Sequence, residues 1–163
     1  MTRSIGQDVT LRKVLVIGIG NPDRGDDAVG AVVVQALSGR LPADVPVLLR
    51  RGDMLGLIEE WAGVDGLVCV DAAAPLGRPG RIHRIDLHAR ALPRDLPLTS
   101  SHVLGLAEAI ELARTLDLAP QQIIVYAVES ASFDSGMPLT PAVAAAARAV
   151  ADQIVVDVGR LRA

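Results

Sequence analysis

Aromatic side chains are nearly missing from this chain, with one Phe, one Trp and one Tyr among 163 residues. Half the residues are hydrophobic, so the core has to be filled by Val, Ile, Leu and Ala. Cysteine occurs once, as Cys69 inside an apolar run. That excludes a disulfide framework or a cysteine-based metal site within one chain and favours a reducing setting. Lysine also occurs once, at Lys13, which leaves no phosphate-binding lysine motif. Charge imbalance is lacking too. A formal charge of -3 gives no reason to expect nucleic acid or a membrane surface as partner. The opening MTRSIGQDVTLRK has no apolar stretch of the signal-peptide kind, and no apolar run approaches bilayer-spanning length. These absences predict a soluble, cytoplasmic protein forming a single domain over 1–163, with residues 1–11 a loose tail.

The stretch from Lys13 to Leu37, KVLVIGIGNPDRGDDAVGAVVVQAL, organises what is present. Val14 to Ile19 is short and β-branched enough for a buried strand. A glycine-rich turn and a polar loop follow, and a helix opens on two consecutive acids, Asp26 and Asp27. Strand, glycine turn and helix N-terminus together place a ligand site at the carboxyl end of the strand. Helix N-termini favour anions, so two carboxylates there make a poor phosphate site and a plausible cation site.

Further along, strands are expected at 47–50, 67–71, 81–87 and 121–129, and helices at 26–39, 53–61, 102–116 and 142–158. Asp53 is suited to cap the second helix, with Leu55, Leu57, Ile58 and Trp61 on its apolar face. Ser100 or Ser101 is expected to cap the third, burying Leu104, Ala107, Ile110, Leu112 and Leu116. Thr140-Pro141 opens the last helix. The connection AAAPLGRPG after the third strand is too short and too rich in Pro and Gly for a crossover helix. Parallel neighbours need such a crossover, so the fourth strand should run antiparallel. The expected architecture is α/β: a three-layer α/β/α sandwich around a five-stranded mixed sheet.

Each candidate for chemistry has a plainer role beside it. Gly18-x-Gly20 suggests a dinucleotide turn, but Asp23 stands where the third glycine belongs and Arg50-Arg51 where the ribose-binding acid belongs. Asp26 can cap the helix, and Asp27 can interact with its dipole. Asp71, ending the third strand, can bind loop amides. If the first and third strands are adjacent, however, Asp27 and Asp71 converge on one crevice. With His102 they would suit a borderline divalent ion such as nickel or zinc, leaving positions open. His83 and His88 are the rival imidazoles. No Gly-x-Ser-x-Gly elbow accompanies Ser100 and Ser101.

Taken together, several blocks resemble the nickel–iron hydrogenase maturation endopeptidases. They are Gly18-Ile19-Gly20-Asn21-Pro22 with Arg24-Gly25-Asp26-Asp27-Ala28-Val29-Gly30, then Val70-Asp71-Ala72, Ser100-Ser101-His102-x-x-Gly105-Leu106, Glu129-Ser130-Ala131-Ser132-Phe133 and Leu139-Thr140-Pro141. The resemblance covers about residues 13 to 150. It implies a phosphorylase/hydrolase-like fold and removal of a C-terminal extension from the hydrogenase large-subunit precursor after nickel insertion. It also implies nickel contacts by Asp27, Asp71 and His102, the same three residues being the catalytic candidates. Asp26 matches the neighbouring acid. Nickel would be supplied by the precursor, with no permanently bound metal, and the protein would act as a monomer or weak oligomer. Many members carry Pro-Glu where this chain has Ser130-Ala131, a difference that bears on substrate recognition. The alternatives are a non-enzymatic, nickel-sensing chaperone of the precursor and a small nucleotide-binding α/β module.

Overall fold

Val14–Ile19 forms β1, and all six of its residues are buried, as a strand covered on both faces by helices requires. The computed structural model describes residues 11–51, 53–87 and 105–163. Within them β2 is Val47–Arg50, β3 Gly66–Ala73, β4 Ile82–Asp86 and β5 Gln122–Glu129; the helices are α1 Val29–Ala36, α2 Met54–Trp61, α3 Leu106–Thr115 and α4 Pro141–Arg162. The sheet order is β2-β1-β3-β5-β4. β1 pairs in parallel with β2 and β3, β3 pairs in parallel with β5, and β4 runs antiparallel to β5. The expected mixed sheet is therefore present, with β4 as its reversed edge.

Side chains alternate across the pleat, and the two faces bury two separate clusters. Val14, Val16, Val68, Val70, Ile124, Tyr126 and Val128 pack against α1 and α4. Leu15, Ile17, Ile19, Leu67, Cys69, Ile123 and Val125 pack against α2 and α3. These are the three layers. On α4, Val143, Ala146, Ala147, Val150, Ala151, Ile154, Val158 and Leu161 keep to one buried stripe. Each fully buried Val or Ile there contributes about 1.5–3 kcal/mol. A polar knot ties α4 to the edge: the Arg84 guanidinium holds Asp157 (2.8 Å and 3.2 Å), and the Tyr126 hydroxyl donates to the same carboxylate. At the opposite edge, Arg50 on β2 makes a bidentate pair with Glu60 on α2.

Four local expectations are corrected. The first helix starts as a 3-10 turn, Gly25–Ala28, before α1. Leu55 is 58% exposed on α2, and Leu116, 54% exposed, is the residue that caps the carboxyl end of α3 rather than part of its buried stripe. α3 begins at Leu106 with Gly105 in the N-cap position, and its buried face is Leu106, Ala109, Ile110 and Ala113. Ser100, Ser101 and Leu104 lie outside the described residues. Asp53 does cap α2, accepting from the Gly56 amide at 3.1 Å.

Candidate active site

The carboxyl end of β1 sets the first carboxylate. Gly20 has φ +135, and a Cβ there would lie 2.2 Å from the Asp27 carbonyl oxygen, so only glycine lets the chain pass this close. The turn that follows brings the Asn21 amide to Asp27 Oδ2 at 2.8 Å. Asp27 is thereby held, half-buried, at the end of the strand. Glycines also bring α1 close to the sheet. A Cβ on Gly18 would meet the Gly30 carbonyl oxygen at 2.5 Å, and one on Gly30 the Ile19 oxygen at 2.6 Å.

The neighbouring parallel strand supplies the second. β1 and β3 pair up to Gly18 and Val70, so Asp71 sits beside the exit of β1. It is 1% exposed. Its Oδ1 accepts from the Ala72 amide at 2.8 Å, while Oδ2, also buried, has no partner among the described residues. Burial holds the Asp71 carboxyl well above the usual carboxylate range; the Ala72 amide opposes this in part, and the nearby charge of Asp27 adds to it. The condition on which Asp27 and Asp71 converge is met.

Asp26 does something else. It is fully buried, yet it caps no helix amide. Its carboxylate accepts from the amides of Ala131 (2.8 Å), Ser132 (3.1 Å) and Thr140 (2.8 Å) and from the Thr140 hydroxyl (2.9 and 3.0 Å). Its own amide donates to the Ser132 carbonyl at 2.8 Å. Asp26 thus fastens the loop between β5 and α4 to the turn that carries Asp27. Thr140 occupies the N-cap position of α4, but its hydroxyl serves Asp26 rather than the helix.

A family model described as hydrogenase maturation protease matches residues 52–157. The chain belongs to the hydrogenase maturation proteases. It is 30% identical over 146 residues to the hydrogenase 2 maturation protease of Escherichia coli, covering 87% of this chain and 88% of that one. The fold is similar to the hydrogenase maturating endopeptidase HybD from E. coli, with a TM-score of 0.75 at 27% identity over 91% of this chain and 93% of that one. A solution structure of an endopeptidase from E. coli gives 0.76 at 27%, with the same coverage.

In this maturation protease the described residues include one of the three candidate histidines, His83. His102 and His88 lie outside the described residues. His83 lies on β4, two strands from Asp71. Among the described residues no group of three or more His, Cys, Asp or Glu is set to hold a metal. Asp27 and Asp71 fit as two oxygen donors of an incomplete set, one of them with a free buried oxygen. Cys69 is fully buried and its thiol is pushed far up by that burial, so it supplies no thiolate. Where a dinucleotide site needs an acid after β2, Arg50 is locked to Glu60 at 2.6 Å. Two buried acids carried no distinct sequence signal of their roles: Asp26, which reads as a cap, and Glu129, 1% exposed, which accepts from the Arg78 amide. Neighbours 51 to 114 positions away define both.

Proposed function

We propose that the protein is the endopeptidase that removes the C-terminal extension of a nickel–iron hydrogenase large-subunit precursor after nickel insertion, gripping the precursor's nickel through Asp27, Asp71 and His102. The observation that carries this reading is the pair of carboxylates beside the exit of β1 in a chain of this family, Asp27 in the turn after it and Asp71 on neighbouring β3, the latter with a buried oxygen unengaged among the described residues. The two are unlike, and unlike environments divide acid–base work. Asp27, half-buried and pinned by the Asn21 amide, suits a fixed grip on a cation. Asp71, with its proton affinity raised by burial, suits taking a proton from the attacking water and returning it to the departing amine. Nickel arriving as part of the substrate would supply Lewis-acid polarisation of the scissile carbonyl or the water.

The cellular place that fits this work is the cytoplasm, where one buried cysteine and no disulfide are at home. Among the described residues no helix is long and apolar enough to cross a membrane. The test is to incubate the protein with a nickel-loaded large-subunit precursor and weigh the precursor. Loss of a C-terminal peptide, absent with nickel-free precursor, is the expected result. A stable complex whose precursor keeps its full mass would overturn the protease assignment in favour of a chaperone.

A further inference from the structure

Buried polar atoms are nearly always hydrogen-bonded, and each exception calls for a reason. Two exceptions stand in one row of the sheet. Asp71 on β3 and His83 on β4 are both in register with the same residue of β5, Ala127. Both side chains belong to the α2/α3 face: Cys69 two residues before Asp71, Val125 two before Ala127, and Ile85 two after His83 are all packed there. The neighbours of His83 confirm the alternation, since Ile82 packs on the other face and Arg84 reaches Asp157 of α4. Asp71 Oδ2 and His83 Nε2 are each buried without a hydrogen-bond partner among the described residues.

We infer that His83 is a positioning residue for Asp71: the two share a row and a face of the sheet on either side of the small side chain of Ala127, and Nε2 and Oδ2 engage through one bridging oxygen. The Cα atoms stand two strand spacings apart, about 10 Å, and a methyl group is all that β5 places between them. The chemistry is complementary, a ring nitrogen that can donate or accept facing an oxygen that can do the same. Such a partner fixes the orientation of a carboxylate that grips a metal or carries a proton, and loss of partners of this kind typically costs 10–100-fold. Asp26, by contrast, has its orienting donors from backbone, and Asp27 has the Asn21 amide. Among the described residues Asp71 has a single amide, and the histidine supplies the orientation that this backbone does not. The role rests on Asp71 belonging to the active site.

Two measurements decide it. In ¹⁵N NMR of the full chain, Asp71→Asn should move the ring-nitrogen resonances of His83, and unmoved His83 resonances overturn the pairing whatever the enzyme does. In cleavage of the nickel-loaded precursor, His83→Ala should lower kcat by about 10–100-fold with KM and thermal midpoint little changed. His83→Gln, which keeps a donor, should recover most of the loss. Wild-type kcat in His83→Ala, or no rescue by Gln, overturns the proposal. If Asp71→Asn still cuts at the wild-type rate, the fault lies with the active-site assignment and not with the pairing.

Discussion

Two buried aspartates stand at the same end of the sheet, and their oxygens are treated in opposite ways. Asp26 meets three amides and a hydroxyl. Among the described residues Asp71 meets one amide and leaves an oxygen bare. A saturated buried carboxylate holds structure together, because removing it strands every donor around it. An unsaturated one costs stability and is retained where something must bind or react. The difference separates the fastening from the working part of the site, and substitutions can test it.

The largest effect is expected from Asp71→Asn. Cleavage of the precursor should fall by about a thousandfold or more, about 4 kcal/mol of barrier, while the fold gains stability at neutral pH. The sign follows from the raised folded-state proton affinity of Asp71. At a pH below the unfolded carboxyl's range both states are protonated and no cost arises. As pH rises from there towards the folded value, the unfolded chain releases its proton first and the native state loses stability. The thermal midpoint of Asp71→Asn should therefore exceed the parent's by a margin that widens with pH over that window. A variant melting below the parent at pH 7 would contradict the reading.

Asp26→Ala should do the reverse, destabilising by about 4 kcal/mol, because the amides of Ala131, Ser132 and Thr140 lose their acceptor. Denaturant unfolding measures it. Asp26→Asn is expected to cost about 2 kcal/mol despite its shape, since an amide nitrogen in place of Oδ2 would face the Ala131 and Ser132 donors. Gly20→Ala joins the two regions. It forces a side chain into φ +135 against the Asp27 carbonyl, and should cost about 2 kcal/mol together with most of the cleavage activity. The smallest effect should come from Thr140→Val, about 1 kcal/mol, with cleavage nearly intact because the Thr140 amide still holds Asp26. A loss of activity in Thr140→Val as large as in Asp71→Asn would erase the distinction between the two aspartates.

Much of this organisation is legible in the chain itself. The β-branched run of β1, the Pro- and Gly-rich link before β4 and the Asp53 cap are local signals, and each reports the element beside it. The link is telling: with no room for a crossover helix, antiparallel pairing of β4 follows from length alone. Leu55 and Leu116 are exposed because an apolar pattern marks neither the edge of a helical stripe nor the residue at which a helix stops. The role of Asp26 is not legible for a similar reason, since an acid beside a helix start looks like a cap whatever it touches.

The sequence by itself determined the α/β class, the reversed edge strand and the pairing of a glycine turn with acids at the first strand's end. Periodicity and turn chemistry act over a few residues and can be read there. Tertiary structure alone decided that Asp26 fastens a loop more than 100 positions away, that Asp71 keeps a bare oxygen and that His83 stands in its row. Whether a buried polar atom is satisfied depends on strands and loops remote in sequence, and only folding brings them within hydrogen-bond distance.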